Sequence, residues 1–311
     1  MKLWQMKMRI SFLILIATLF LLRPVTSVAD QHTLKDIDVS SLREQAEHGN
    51  IVAMRILAFM HRFGIRVKQD YEISFKLYKQ GAEQGDAESQ YELGSMYLGG
   101  RGVNKDVYQA FEWRQKAAKQ GNARHMYALG KMFSDGLGVQ KNDELAFKWI
   151  AEAAEQNYDI AQVELAELYL SGKGVKKSPD LAIEWYKRAY NQGFTPALAR
   201  LADIYDQGTC VPQDCAEARN WYIKFAKLND QFAQYRLGEM SANGEGALKD
   251  VVTAYKWYSL AANQGNEKAA QKLRELARVM TPEQIVAAKE LVRKCRVKGT
   301  GTAARLLCIQ K

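Results

Sequence analysis

Four cysteines and four histidines are the residues of this chain best suited to bind a metal or to act as nucleophiles. The cysteines form two local pairs, Cys210 with Cys215 and Cys295 with Cys308. Neither pair has the C-x-x-C spacing of a zinc site or a histidine partner. The histidines stand at His32, His48, His61 and His125. His61 and His125 fall at different positions of the repeat described below, so we expect packed or half-exposed histidines, with no metal and no cofactor.

Sequence motifs of catalysis are absent. The chain contains no G-x-S-x-G elbow, no H-E-x-x-H, no P-loop and no dinucleotide fingerprint. An enzyme with this sequence would need a site of an unrecognised type. We therefore expect no enzymatic activity.

A repeat of 36 residues organises the chain. A glycine, or an asparagine in its place, marks each unit, at Gly49, Gly85, Gly121, Asn157, Gly193, Asn229 and Gly265. The position 28 residues after the first six marks holds Leu77, Trp113, Trp149, Trp185, Trp221 and Trp257. A fixed period of this length is typical of stacked units, none of which can bury its apolar face alone. We interpret the tryptophans as core residues rather than as a sugar-binding platform.

Each unit has the signals of two helices separated by a glycine-rich turn. The position 21 residues after each mark holds a helix-capping residue: Asp70, Asp106, Asn142, Ser178, Asp214 and Asp250. Units begin near residues 49, 85, 121, 157, 193 and 229. A capping box of Ser41 and Glu44 predicts a lone helix that ends near His48, and Thr281 with Gln284 predicts another helix after the array.

Segments such as Ala87–Tyr97, Gly100–Val103 and Ala110–Trp113 resemble Sel-1-like repeats, a 36-residue relative of the tetratricopeptide repeat. The resemblance covers residues 41–280 and supplies no catalytic residues. It implies an all-α, right-handed α/α superhelical solenoid of about six helix pairs with terminal capping helices, which acts as an adaptor or scaffold. The first unit departs most, with His61 and Arg66 where other units have an aromatic residue and glycine.

The resemblance also supplies an enzymatic alternative. Some cysteine-rich members of the family are described as β-lactamases or penicillin binders, so a β-lactam-binding or peptidoglycan-acting enzyme is the second hypothesis. Such enzymes need a serine one helical turn from a lysine. No serine of this chain has a lysine three residues later, and the K-T-G motif is absent.

Residues 1–29 have the layout of a secretory signal peptide. Lys2, Lys7 and Arg9 precede the apolar run Ile10–Leu22, and Ser27–Ala29 supplies small residues for cleavage. This layout predicts export to the bacterial periplasm, with secretion as the alternative, and leaves residues 30–40 as a linker. In an oxidising compartment each cysteine pair is expected to form a local disulfide, with buried free thiols as the alternative.

The positive charge of the chain is concentrated at its C-terminal end. The whole chain has a net charge of +9, whereas residues 281–311 form the predicted capping helix and a basic tail with seven basic residues and one acidic residue from Lys289 onward. This tail is either a solvated, disulfide-pinned end or a weak contact for anionic envelope polymer. We expect no nucleic-acid partner for an exported protein.

One face of the first helices is a candidate binding surface because its charged residues vary from unit to unit. We call it the first-helix face, and its residues are Glu92, Ser95, Lys131, Glu164, Glu167, Arg200, Asp203, Arg236 and Glu239. The first helices of solenoids commonly line the concave surface. We predict a non-catalytic scaffold that binds a partner protein or peptide there. The alternatives are an ordinary solvated face and a secreted factor that binds host proteins.

Overall fold

The computed structural model describes residues 38–207, 214–299 and 305–308, and this part of the chain is built from helices and one small hairpin. The predicted signal peptide and most of the predicted linker lie outside the described residues. The helices are α1 (Val39–Glu47), α2 (Ile51–Phe63), α3 (Tyr71–Glu83), α4 (Ala87–Gly99), α5 (Val107–Ala118), α6 (Ala123–Asp135), α7 (Asp143–Glu155), α8 (Asp159–Ser171), α9 (Pro179–Asn191), α10 (Ala197–Gln207), α11 (Cys215–Ala226), α12 (Gln231–Asn243), α13 (Val251–Ala262), α14 (Glu267–Ala277) and α15 (Pro282–Arg293). Strands β1 (Cys295–Lys298) and β2 (Arg305–Cys308) pair antiparallel.

The helices form two compact units, of residues up to Trp149 and from Ile150 onward, and the division falls inside α7. Within each unit a helix packs mainly against the helices that precede and follow it in sequence. Contacts between sequence neighbours are the signature of a repeat array. The predicted all-α repeat solenoid is therefore confirmed.

The marks of the repeat are positions with left-handed backbone. Asn157 and Asn229 have φ angles of 64° and 60°, so asparagine does replace glycine there. The predicted caps are also confirmed, because the side-chain oxygens of Asp70, Asp106, Asn142, Ser178, Asp214 and Asp250 each accept hydrogen bonds from first-turn amides. A second set of caps, one residue after the mark, was not predicted: Asn50, Asp86, Asn122, Asp230 and Asn266.

The prediction for the first helix is wrong in one detail. Asp38, and not Ser41, caps α1, because its carboxylate accepts hydrogen bonds from the amides of Ser40 and Ser41 at 3.0 and 3.3 Å. The helix consequently starts at Val39 and ends at Glu47. The capping box of Thr281 and Gln284 forms as predicted.

Leucine and tryptophan occupy the positions that their period predicts. The leucines eight residues after each of the first six marks are at most 5% exposed: Leu57, Leu93, Leu129, Leu165, Leu201 and Leu237. Trp185, Trp221 and Trp257 are buried, and Trp113 is partly buried beneath the ammonium of Lys116, 3.9 Å from its ring centre. The tryptophans therefore belong to the core, as predicted.

A glutamine pair joins the two helices of every second repeat. The side-chain amide of Gln192, just after α9, donates to Gln162 on α8 at 2.7 Å, and Gln162 donates to the carbonyl of Ala154 at 3.2 Å. Equivalent pairs form between Gln120 and Gln90 at 2.9 Å and between Gln264 and Gln234 at 2.8 Å. Because Gln162 and Gln234 are fully buried, these amides depend on one another for hydrogen bonds.

The glutamine pair gives a stability prediction. Gln192→Leu leaves the buried oxygen of Gln162 without its donor, and we expect the free energy of unfolding to fall by about 1–3 kcal/mol. The double variant Gln162→Leu with Gln192→Leu reproduces the apolar pair that the next repeat has at Leu198 and Leu228. We expect it to regain most of the loss in urea denaturation. A double variant less stable than the single one contradicts this account.

Candidate functional site

In the first unit the first-helix face is built around Glu92. This carboxylate of α4 forms ion pairs with Arg62 of α2 and with Arg124 of α6, the latter at 3.2 Å. Arg124 also binds Glu88, one turn earlier on α4, at 2.9 Å. One acidic helix thus lies between two basic ones, and three successive first helices are linked by charge.

His125 and Tyr91 complete this group. The imidazole Nε2 of His125 lies 3.2 Å from Glu88, and its ring stacks on Tyr91 with centres 4.7 Å apart. The side chain of His125 is only 2% exposed, so this histidine is packed, as predicted. We call Arg62, Glu88, Tyr91, Glu92, Arg114, Arg124 and His125 the Tyr91 cluster.

Arg114 of α5 approaches the same ring. Its guanidinium carbon lies 5.1 Å from the centre of Tyr91, and that of Arg124 lies 4.3 Å from it. The Nη2 of Arg114 donates to the hydroxyl of Ser95 at 3.3 Å. Gly94 makes room for this arginine, since a Cβ there would stand 2.9 Å from its Cγ. Ser95, a residue of the predicted face, is therefore tied to the Tyr91 cluster.

The pKa of the Glu88 carboxyl lies below its usual value. Burial raises the pKa of this carboxyl, but the hydrogen bond to His125 and the charge of Arg124 lower the pKa by more. A carboxylate whose pKa is lower in the folded state stabilises the fold above its unfolded pKa. That contribution is lost as the pH falls through the folded pKa.

The dependence of this stabilisation on pH can be measured. Glu88→Gln is expected to lower the free energy of unfolding by about 1–2 kcal/mol at pH 7, because a charged hydrogen bond is lost. At pH 3 the two proteins should differ by much less. Urea denaturation at both pH values checks this, with the exposed Glu112→Gln variant as control. A deficit of Glu88→Gln that does not depend on pH contradicts this assignment.

In the second unit the first-helix face carries two further clusters of paired side chains. Glu167 of α8 accepts two hydrogen bonds from Arg200 of α10, at 2.7 and 2.8 Å, and a third from the hydroxyl of Tyr186 at 2.6 Å. Planar, two-point pairing of this kind fixes both side chains. Burial and the bond to Glu167 raise the pKa of Tyr186, so its hydroxyl remains a donor.

The second group centres on Arg236 of α12. It donates twice to Asp206, both at 2.7 Å, and once to Glu245 at 2.6 Å, and lies 3.7 Å from Glu239. Tyr222 donates to Asp203 at 3.0 Å. These contacts hold the acidic residues of α10 and the basic residue of α12 in fixed positions.

The nine residues of the first-helix face lie on α4, α6, α8, α10 and α12. Glu92 and Ser95 contact arginines of the Tyr91 cluster, and the face residues with ion pairs or tyrosine contacts in the second unit are Glu167, Arg200, Asp203, Arg236 and Glu239. Lys131 on α6 and Glu164 on α8 are half-buried. The tyrosines that donate to the face were not predicted, although Tyr186 and Tyr222 both stand one residue after a repeat tryptophan.

The C-terminal cysteines form the predicted disulfide between Cys295 and Cys308. The disulfide joins the two strands of the β1–β2 hairpin. This hairpin was not part of the predicted all-α fold. The amide of Leu306 donates to the carbonyl of Lys227, at the end of α11, at 2.8 Å, and Leu306 is buried. Cys215 is a free thiol in the structure. Its predicted partner Cys210 lies outside the described residues, so that pair stays a prediction.

None of the described helices combines the length and the apolar character needed to cross a bilayer. Within the described part of the chain no three histidine, cysteine, aspartate or glutamate side chains are grouped so as to hold a metal ion.

Paired helices in a fixed 36-residue register, with a charged face along the first helix of each pair, define a helical-repeat protein of the interaction class. The Sel1 repeat model matches residues 51–86, 87–122, 126–158, 159–194, 195–230 and 231–266, and the chain belongs to the Sel1 repeat family. Proteins of this family generally act as protein-interaction scaffolds and are typically non-catalytic.

The solved structures that resemble this chain include two Sel1-type repeat proteins. One is a protective antigen present in uropathogenic Escherichia coli strains that displays an SLR fold, with a TM-score of 0.70 and 30% identity. That match covers 83% of this chain, which spans only 56% of the antigen. The other is a Sel1 repeat protein from Oxalobacter formigenes, with a TM-score of 0.56 and 28% identity over 73% of this chain and 100% of that one. The comparison with curated proteins returns no match.

Proposed function

We propose that this protein is a non-catalytic scaffold that holds a partner protein or peptide on the first-helix face. The observation that carries the proposal is the pairing of the face residues in fixed geometry. Glu92 is held by two arginines, Glu167 by Arg200 and a tyrosine, and Arg236 by Asp206 and Glu245. Groups that are already ordered lose little conformational entropy when a ligand binds.

The solvated-face alternative is weaker for the same reason. Ion pairs between exposed side chains contribute about 0–1 kcal/mol to stability and are commonly disordered. Here the side chains of Arg62 and Glu92 are only 15% and 14% exposed, and those of Arg236 and Asp206 are 25% and 9% exposed. Half-buried charges in a fixed pattern provide electrostatic selectivity for a partner.

Export to the bacterial periplasm is part of the proposal. The signal-peptide layout of residues 1–29 motivates it, and the Cys295–Cys308 disulfide supports it, because such bonds persist in oxidising compartments. A secreted factor that binds host proteins is the second candidate. The similar Escherichia coli protein is a protective antigen, which favours exposure of this class of protein outside the cell.

Crosslinking and capture test the scaffold. The whole chain with an affinity tag is crosslinked in its native cells, beside a face variant with Glu164→Gln, Glu167→Gln and Asp203→Asn. The matched control changes Glu152, Asp180 and Glu184, which are exposed on second helices, to their amides. We expect a partner captured by the wild type and the control and lost from the face variant.

Other outcomes contradict parts of the proposal. Equal capture by the face variant removes the first-helix face as the binding surface. Capture of no partner by the wild type contradicts the scaffold itself. Covalent labelling of the purified protein by a fluorescent penicillin contradicts the non-catalytic assignment and supports the β-lactam-binding alternative.

A further inference from the structure

The cations of the Tyr91 cluster outnumber its anions. Arg62 and Arg124 are paired with Glu88 and Glu92, but Arg114 has no carboxylate within 4.0 Å among the described residues. Among the described residues, its guanidinium donates a hydrogen bond to the neutral hydroxyl of Ser95. A half-buried guanidinium that no carboxylate contacts is costly to the fold, and the charge of Glu92 acts on Arg114 only from a longer distance.

Unsatisfied polar atoms gather at the same place. Among the described residues, the buried side-chain nitrogens without a hydrogen bond are Nε of Arg62, Nε of Arg114 and Nδ1 of His125. All three belong to the Tyr91 cluster, and His125 is 98% buried by side-chain area, being 2% exposed. Unpaired buried groups of this kind are rare in native proteins and accompany functional sites.

The fold itself does not require an arginine at this position. The corresponding residue, 29 after the mark, is Tyr78, Ile150, Tyr186, Tyr222 or Tyr258 in the other repeats. Arg114 is thus the one charged residue at this position of the six repeats, and it lies against Tyr91 on the first helix of its own repeat. A residue that departs from a repeat and leaves an unpaired charge is better explained by a ligand than by packing.

We propose that Arg114 and Arg124, held against Tyr91, bind a single carboxylate of the partner, supplied by an acidic side chain of a peptide. The inference rests on the proposed function and names the chemistry that the first-helix face recognises. Guanidinium groups bind carboxylates through two parallel hydrogen bonds. Contact with an aromatic ring fixes the plane of each guanidinium. Glu88 and Glu92 flank the site and repel ligands of higher negative charge, which favours a carboxylate over a phosphate.

Side-chain NMR of the full-length protein tests this site. The Nε–H signal of Arg114 is followed during titration with a pentapeptide of glycines around a central glutamate, with blocked ends. The same peptide with glutamine is the control ligand. We expect a saturable shift with the glutamate peptide only. In Arg114→Met the titration is followed through the Nε–H signal of Arg124, and we expect binding at least tenfold weaker. Arg219→Met is the matched control protein, because Arg219 also donates to a serine, Ser241, at 3.1 Å but lies in the other unit.

Stability distinguishes a binding role from a structural one. Arg114→Met is expected to keep or raise the midpoint of urea unfolding without ligand, because a half-buried charge that no carboxylate contacts is removed. A clear fall of that midpoint assigns Arg114 to the fold and overturns the proposal. An equal chemical-shift change with the glutamate and glutamine peptides also overturns the proposal. So does tighter binding of inorganic phosphate than of the glutamate peptide.

The capture experiment separates this inference from the proposed function. A partner held by the wild type and lost from Arg114→Met supports both. A partner held equally by Arg114→Met leaves the scaffold standing and contradicts the carboxylate site. Capture of no partner contradicts the scaffold, and the peptide titration then still decides whether Arg114 binds a carboxylate.

Discussion

Gly102→Ala is expected to lower the free energy of unfolding by about 4 kcal/mol, a loss large enough to unfold much of the first unit. Gly102 has a φ angle of 70°, which costs an alanine about 1–2 kcal/mol in backbone strain. An added Cβ would also overlap the carbonyl oxygen of Tyr71, at the start of α3. Since the obstacle is backbone, two helices must move apart to relieve the overlap. Urea denaturation followed by circular dichroism measures the loss.

Gly121→Ala is the matched control for this prediction. Gly121 has a φ angle of 91°, but a Cβ there meets no atom within 4 Å. The control therefore keeps the backbone strain and omits the collision, and we expect a loss of about 1–2 kcal/mol. Equal losses of unfolding free energy in the two variants would show that the close approach of Gly102 to α3 does not contribute to the effect of Gly102→Ala.

Removal of the Cys295–Cys308 disulfide is expected to release the C-terminal hairpin. The bond spans 13 residues, and a loop of that size contributes about 3 kcal/mol by restricting the unfolded chain. Cys295→Ser with Cys308→Ser should leave the hairpin held mainly by Leu306 on the end of α11. Hydrogen exchange at the Leu306 amide should then accelerate by about a hundredfold.

The wild type in reducing buffer is the control for the disulfide prediction. It should show the same faster exchange at Leu306, while amides in the middle of α12 and α13 keep their protection. Unchanged exchange at Leu306 in both samples contradicts the view that the disulfide holds the hairpin. If amides throughout the second unit instead exchange faster, the disulfide stabilises the whole second unit and not the hairpin alone.

Local signals explain why so much of this fold could be predicted. Asn157 and Asn229 were identified by the period alone, and Asp106 and Asp250 by their place before a helix, because capping and left-handed backbone depend on a few adjacent residues. The same local rule failed at Ser41, where Asp38 offered a better acceptor three residues earlier.

The Tyr91 cluster could be predicted only in part. Glu92 and Ser95 were identified by their place on the first helix, but their partners Arg62 and Arg114 stand 30 and 19 residues away and reach them through specific side-chain conformations. Sequence spacing predicts which face a residue occupies. It does not predict which of several nearby charges will pair, because this depends on packing between three helices.

The alternation of the glutamine pairs has a consequence for folding. Near-identical repeats can dock the second helix of one unit onto the first helix of another, a characteristic error of repetitive chains. In the fifth repeat the position equivalent to Gln192 is Leu228, which has no amide to donate to Gln162 or Gln234, whereas the other five repeats have glutamine there. If the second helix of the fifth repeat docks onto a first helix that carries Gln162 or Gln234, it buries an amide without its partner. Leu228 thus distinguishes the fifth repeat from its neighbours and helps this part of the chain keep its order.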